Sequence, residues 1–304
     1  MRLAICLAGA AALVLLAVAR PAARRLPPPR AALLLAAAAL GTAAVWIVVV
    51  GLLTLLLVGQ VPPVAALGRW SASLVGAGDP VPPAASVAAW VAVAVGVAGC
   101  GTLAWRLAVE ARRWLPAYRH AACAGTLVVI DDPTPAAVAV PGWPGRIVVS
   151  SGMLKALPPA EQRVLLAHER CHLDHAHWLF RFAVRLAAAT CPLTRPLVAA
   201  CDQALERWAD ETAAAATGDR RLTAQAVARA ALARHDNALT TAGFTDGQVS
   251  ARIEALLAPP PRGRWAPAVV PLLLLTMAAA CALKAGHDVN ELFEAAENAI
   301  RSRS

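Results

Sequence analysis

Four long apolar runs constrain this chain more than any other feature. None carries a charged side chain, and they cover Leu3–Ala19, Ala31–Val58, Ala84–Trp105 and Trp265–Leu283. A helix of about 20 apolar residues is long enough to cross the hydrocarbon core of a bilayer. The composition agrees, since 59% of the residues are hydrophobic and only 15% are charged. The sequence therefore predicts three membrane spans in residues 1–108, and a fourth span followed by a short acidic tail in residues 263–304.

The first run has a second interpretation. The tripeptide Ala17-Val18-Ala19 resembles a signal-peptide cleavage site, so residues 1–19 could be removed from the mature protein. Against this, the run is long for the apolar region of a signal peptide, and arginines follow it at once. We expect a span and keep the signal peptide as the alternative.

The arginines that flank the runs predict an orientation. Short loops rich in Arg and Lys stay on the cytoplasmic side of a membrane. Basic residues cluster after the first run, after the third and before the fourth, at Arg20, Arg24, Arg25, Arg30, Arg106, Arg112, Arg113, Arg119, Arg262 and Arg264. This places residues 109–262 in the cytoplasm and the Pro-rich 60–83 loop outside. The same arginines account for much of the net charge of +9. No basic stripe with interleaved aromatics is present, so we expect no nucleic-acid partner.

A five-residue motif between the third and fourth runs carries the predicted chemistry. It reads His168-Glu169-Arg170-Cys171-His172, and residues four apart lie on one face of a helix. His168 and His172 can thus direct two imidazoles at one ion, with Glu169 next to a water on that ion. This is the arrangement of the zincins, in which the glutamate acts as general base. The alternative is a buried helix with two hydrogen-bonded histidines.

A later acidic segment supplies a candidate third ligand. Asp202, Glu206 and Asp210 are spaced four apart in an Ala-rich run without Gly or Pro, which predicts a helix with three carboxylates on one face. Like charges at this spacing destabilise a helix unless something positive lies opposite. We expect Glu206 to be the third zinc ligand and Asp210 to hydrogen-bond a ligand histidine. A solvated acidic surface is the alternative.

The segment around the motif resembles known membrane proteases. Residues 145–177 (GRIVVSSGMLKALPPAEQRVLLAHERCHLDHAH) and the later ERWAD are similar to membrane metallopeptidases of the HtpX and CAAX-prenyl-protease type, and equally to the protease part of the BlaR/MecR sensor-transducers. The resemblance covers roughly residues 105–215. One departure is that Pro158-Pro159 stands where a Ser or Thr helix cap is expected, although proline fits a first helical turn.

The resemblance implies a mostly helical α+β fold of the gluzincin type, with the motif helix, a small sheet and a later helix carrying ExxxD. It implies one Zn²⁺ held by His168, His172 and Glu206, with Glu169 as the catalytic base. It also implies an edge strand just before the motif helix. Strand Arg146–Ser151 is the candidate, and it either pairs with an extended substrate or is an ordinary sheet strand.

The region 109–262 is the predicted metallopeptidase domain. Strands are predicted at Thr126–Ile130 and Arg146–Ser151, separated by a Pro/Gly-rich loop over 131–145. Residues Trp178–Thr190, with Arg181 and Arg185 on one face, predict an amphipathic helix at the membrane surface rather than a fifth span. Residues 224–257 read as helix with a break near 240–246.

Several other polar residues have less specific signals. His175 and His177 are expected at the solvent or membrane edge, and a His-rich metal tract is the alternative. Cys171 is expected to be a small buried hydrophobic residue. His120 and His235 are candidate donors to the oxyanion of a peptidase, and nothing in the sequence selects either of them.

Together these observations predict a zinc endopeptidase in a bacterial plasma membrane, with its site facing the cytoplasm. The expected partners are a protein or peptide substrate and the lipid bilayer. Two roles stay open, namely regulated cleavage of a cytoplasmic transcriptional repressor and quality control of membrane proteins. The rival from outside the enzymes is a membrane receptor or scaffold whose zinc domain is only structural.

Overall fold

The fold is that of a helical protein with one small sheet. A computed structural model of the chain describes residues 1–79, 83–120, 126–235, 246–260, 263 and 265–302. The helices before the sheet are α1 (Arg2–Arg24), α2 (Pro28–Gly59), α3 (Pro62–Gly68), α4 (Ala72–Gly78) and α5 (Pro83–His120). The strands are β1 (Leu127–Ile130), β2 (Ala137–Val140) and β3 (Arg146–Ser150). The helices after the sheet are α6 (Ser151–Ala156), α7 (Pro159–Asp174), α8 (His177–Thr190), α9 (Arg195–Thr217), α10 (Arg220–His235), α11 (Asp246–Leu257) and α12 (Ala266–Arg301).

Four of these helices are long and apolar enough to cross a membrane. In the described part of the chain they are α1, α2, Val87–Arg112 within α5, and α12. They coincide with the four predicted spans and indicate a membrane protein. The acidic tail, however, is not separate from the fourth span, because α12 continues through it to Arg301. Its ring contact between Phe293 and Trp70, with centroids 5.1 Å apart, ties the acidic end of α12 to the short helices after α2.

The apolar helices α1 and α2 share a hydrophobic cluster with α8 and α9. Buried side chains of α1 and α2 pack with Val184 and Ala187 of α8 and with Leu197, Cys201 and Leu205 of α9. Helix α8 therefore lies against α2, α5 and α9. Its 14 residues are too few to cross a bilayer, in keeping with the prediction that it is not a fifth span. Of the helices that carry the predicted chemistry, α9 packs directly on the spans, whereas α7 packs chiefly on α9 and α10.

The sheet has the order β1-β3-β2, with β3 parallel to β1 and antiparallel to β2. The prediction of a simple loop over 131–145 is wrong, because β2 lies inside it. Of the two alternatives for Arg146–Ser151, the edge strand is wrong, since β3 is central and all five of its residues are buried. It is the ordinary sheet strand of the other alternative. The edge strand next to the motif helix is β2.

Ser150 and Pro159 determine how the chain enters the motif helix α7. The Ser150 hydroxyl accepts hydrogen bonds from the backbone N–H groups of Met153 and Ala136, which caps α6 and joins it to the start of β2. Helix α7 then begins at Pro159 without a side-chain cap. Proline suits this position because its missing N–H would have no helical partner.

Residues 236–245, which contain most of the predicted break near 240–246, lie outside the described residues.

A glycine in α5 allows that helix to lie close to α8. A Cβ atom on Gly99 would overlap the backbone carbonyl oxygen of Ala189, whereas a Cβ on Gly101, half a turn away, would meet nothing within 4 Å. Small residues at helix contacts permit such close approach in membranes.

We expect Gly99→Val to lower the stability of the purified protein in detergent, because the larger side chain overpacks this contact. The expected loss in the free energy of unfolding is about 1–3 kcal/mol, and thermal denaturation measures it. Gly101→Val is the matched control, and an equal loss in both variants would contradict this packing.

Candidate metal centre

The two histidines of the motif meet at one point. His168 and His172 lie one turn apart on α7, and their Nε2 atoms are 3.1 Å apart. Both side chains are nearly buried. For a tetrahedral ion at zinc–nitrogen distances, two ligand nitrogens lie about 3.3 Å apart, so this separation fits two ligands of one ion.

Glu206 approaches the same point from α9. Its Oε2 atom lies 3.4 Å from His168 Nε2 and its Oε1 atom 3.6 Å from His172 Nε2. The three candidate ligand atoms all lie within 4.8 Å of one another. Two imidazole nitrogens and one carboxylate oxygen form a donor set of catalytic zinc sites, which leave a fourth position open. The residues present therefore fit the ion that the sequence predicts.

Asp210 lies one turn further along α9 and contacts the back of His168. Its Oδ1 atom is 3.0 Å from His168 Nδ1, and the side chain is 2% exposed. A hydrogen bond donated by Nδ1–H to this carboxylate leaves the lone pair on Nε2, which is the nitrogen that faces His172 and Glu206. The arrangement orients the imidazole as carboxylate partners do in metal sites.

His177 has the equivalent position behind His172. The two Nδ1 atoms are 2.6 Å apart, and His177 is fully buried beside Trp208. The prediction that His177 lies at a solvent or membrane edge is therefore wrong, although His175 is exposed as expected. If His172 donates its Nδ1 proton to His177, its own Nε2 lone pair is free for a metal.

These contacts give His168 and His172 very different pKa values in the metal-free protein. Burial disfavours the charged form of His168, but hydrogen bonds to Asp210 and Glu206 outweigh it and raise its pKa to about 10. His172 has no hydrogen-bonded carboxylate. Burial and the nearby charge of His168 outweigh the charge of Glu206 and lower its pKa to about 3. In the metal-free protein, protonated His168 therefore supplies positive charge next to the Glu206 and Asp210 carboxylates.

Two arginines hold the acidic face of α9. Arg181 of α8 donates to Glu206 Oε1 at 2.6 Å and lies 3.3 Å from Asp202. Arg252 of α11 makes two hydrogen bonds of 2.7 Å to Asp210 and lies 3.1 Å from Glu206. Burial raises the pKa of Glu206, but the hydrogen bond and charge of His168, with the Arg252 charge, hold it well below the usual range.

Neither arginine was identified from the sequence. The sequence predicts that Arg181 lies on a membrane-surface face of α8. In the structure it contacts the carboxylates of Glu206 and Asp202. Arg252 lies 42 residues after Asp210, so no local pattern connects them. The available signal was the row of three carboxylates on α9, because such a row requires positive charge opposite.

Glu169 lies beside the candidate ligands and faces the sheet. It is 8% exposed, and burial raises its pKa above that of an ordinary glutamate. The backbone N–H of Ala139 in β2 donates to its carboxylate and partly opposes this shift. A cavity of about 180 Å³ lies between β2 and the helices, and its lining includes Glu169, His168, His172 and Glu206.

A second donor group lies on the far side of His172. Cys171, His175 and His177 also bring ligand atoms within 4.8 Å of one another. Because His177 Nδ1 contacts His172 Nδ1, a metal on His177 Nε2 would leave the proton on Nδ1. His172 would then accept that proton's hydrogen bond and carry its own proton on Nε2, where it cannot bind an ion. A metal on His177 Nε2 thus excludes a metal in the first group, and the first group is the one with Glu169 in its cavity.

Two predicted candidates cannot be placed. The side chains of His120 and His235 lie outside the described residues, so their suggested role as oxyanion donors stays a prediction. Cys171 is buried, as expected, and its thiol lies 3.4 Å from the hydroxyl of Thr212.

Comparison with known proteins indicates the class of this site. The donor set is of the kind that metalloproteases use, and a family model supports a metallopeptidase. The model of peptidase family M48 matches residues 116–203. The match contains the whole of α7 with its motif and ends three residues before Glu206, so the acidic face of α9 lies mostly beyond it. No curated protein and no solved structure matched the chain.

Metal uptake by the metal-free protein should release a proton. His168 is protonated at pH 7.5 because its pKa is about 10, and it must be neutral to bind an ion. We expect about one proton to be released per Zn²⁺, measured by titration calorimetry in buffers of different ionisation enthalpy. Apparent affinity should therefore rise with pH through the neutral range.

Asp210→Asn provides the matched test of the cause. Loss of the carboxylate lowers the pKa of His168, so fewer protons should be released, and loss of ring orientation should weaken zinc binding about 10–100-fold. Equal proton release by the two proteins would contradict the assignment of Asp210 as the partner of His168.

Proposed function

We propose that the chain is a zinc-dependent endopeptidase embedded in a membrane. The observation that carries the proposal is the meeting of His168, His172 and Glu206 in one cavity with the buried carboxylate of Glu169. The family match, which supports a metalloprotease, and the four apolar helices support it further. A purely structural zinc site would need a fourth protein ligand and no base. Three donors with Glu169 next to them favour catalysis.

The residues of the chain define the steps of this reaction. Zn²⁺, when bound, supplies the positive charge that acidifies a water molecule and polarises the scissile carbonyl. Glu169 removes a proton from the attacking water as the new C–O bond forms. The same carboxylate then delivers that proton to the amide nitrogen as the C–N bond breaks. Burial raises the pKa of Glu169, which suits a group that must hold a proton between the two steps.

The substrate is proposed to lie along β2. This strand pairs with β3 on one side, and no other described strand covers its outer edge. Ala137, Val138 and Ala139 line the cavity that contains Glu169. An extended peptide added to such an edge gains main-chain hydrogen bonds whatever its sequence. In this proposal β2, and not Arg146–Ser151, is the strand that pairs with an extended substrate.

Removal of the base and removal of a ligand should have different effects. Glu169→Gln should keep about one Zn²⁺ per chain and lose peptide hydrolysis, because the amide cannot accept the proton. His168→Ala, His172→Ala and Glu206→Ala should each lose the metal as well. Zinc content measured by mass spectrometry, beside hydrolysis of a fluorogenic casein, separates the two classes. Full zinc retention by the Glu206 variant would remove that residue from the ligand set.

We further propose that the protease domain faces the cytoplasm of a bacterial cell. The positive flanks favour it, and two contacts support a common side for them. The Arg30 guanidinium lies 4.3 Å from the centre of the Trp265 ring, which joins the start of α2 to the start of α12. Arg20 and Arg24 line a second cavity together with Arg207 of α9. Cleavage of a transcriptional repressor or of damaged membrane proteins fits this side.

Cysteine labelling tests the orientation. Ser73 in α4 and Gln225 in α10 are both exposed, and each would be replaced by cysteine in a background without the seven native cysteines. Ser73→Cys should react with a membrane-impermeant maleimide in intact cells, whereas Gln225→Cys should react only after lysis. The reverse pattern would place the domain outside.

A further inference from the structure

Three arginines line the candidate active-site cavity, and one of them differs from the others. Arg181, Arg234 and Arg252 all contribute to its wall. Arg181 and Arg252 are held by the carboxylates of α9, as described above. Arg234 makes a hydrogen bond of 3.2 Å from its Nε to the backbone oxygen of Ala230. Among the described residues no carboxylate lies within ion-pair distance of it.

Arg234 stands where a substrate would pass. It lies in the last turn of α10, with Ala230 one turn before it and also on the cavity wall. The side chain is exposed, so its charge is open to a ligand rather than enclosed. It is also near enough to Glu169 to oppose the rise in the pKa of that carboxyl group. The guanidinium thus lies close to the reacting centre without being part of the ion-pair network.

The rest of this wall is small and apolar. Val164 and Leu165 of α7 and Ala226, Val227 and Ala230 of α10 form it. A substrate side chain that enters this region meets hydrocarbon on its sides and, at the rim, a cation without an ion-pair partner among the described residues. A guanidinium can bind a carboxylate with two parallel hydrogen bonds, and such bonds are stronger than those between neutral groups.

We propose that Arg234 is a specificity-determining residue that binds a substrate carboxylate beside the scissile bond. The inference rests on the proposed peptidase function and adds the class of peptide preferred. The carboxylate can belong to an Asp or Glu side chain or to the free C-terminus of a short peptide. Both present the same planar anion to the guanidinium, and the experiment distinguishes them.

The test uses the full-length protein in detergent and pools of synthetic decapeptides. The pools are random except for Glu or Gln fixed at the fifth position, and each is made with a free C-terminus or a C-terminal amide. The wild-type protein should cleave acid-bearing pools roughly 10–100-fold faster than their neutral counterparts, as a charged hydrogen bond of about 1.5–3 kcal/mol implies. Arg234→Gln should remove this ratio, and Arg234→Glu should invert it.

The pattern of loss identifies the source of the carboxylate. Loss of the Glu-to-Gln ratio assigns a side chain, and loss of the acid-to-amide ratio assigns the C-terminus. Arg221→Gln is the matched control, because Arg221 is exposed on the same helix and does not line the cavity. Equal ratios in the wild-type and Arg234→Gln proteins, for both pairs of pools, would overturn the proposal.

A binding measurement separates this inference from the peptidase function itself. In a Glu169→Gln background, fluorescence anisotropy of labelled Glu-containing and Gln-containing pools, in both C-terminal forms, reports affinity without turnover. Addition of Arg234→Gln should weaken only the acid-bearing pools, by about tenfold or more. If no pool is cleaved but this selective loss of binding occurs, the peptidase function fails and the assignment of Arg234 stands. Equal weakening of all pools would overturn it.

Discussion

The pairing of the Glu206 and Asp210 carboxylates on α9 with cations from three other helices is the interaction on which the site depends. Asp210 and Glu206 would repel each other on one helical face. His168 lies between them, while Arg181 and Arg252 hold their outer sides. Buried charges are tolerated only when they are paired and hydrogen-bonded. The network therefore fixes α7, α8, α9 and α11 relative to one another, and it places Glu206 opposite the two Nε2 atoms.

Two of these helices, α8 and α9, also pack against the apolar spans. Leu197, Cys201 and Leu205 on one face of α9 are buried against the spans, whereas its acidic face is directed at the motif. The candidate ligand Glu206 therefore lies on a helix that packs directly on the apolar spans.

Local patterns predicted most of the fold and the centre of the site. The four uncharged runs, the spacing of His168 and His172, and the acidic spacing that leads to Glu206 are each contained in a single helix. What the sequence did not predict depends on tertiary contacts. The four-residue strand β2 lies in a segment rich in proline and glycine, and it forms because β3 offers it an edge. The roles of His177 and Arg252 depend on contacts with His172 and Asp210 that form only in the folded chain.

The central claim is that one Zn²⁺ is held by two histidines and a glutamate, and X-ray absorption spectroscopy at the zinc edge tests it most directly. Purified wild-type protein should show only nitrogen and oxygen neighbours, at about 2.0–2.2 Å, with multiple scattering from two imidazoles. A sulfur neighbour at about 2.3 Å would contradict the account. It would place the ion on Cys171 with His175 and His177, away from Glu169.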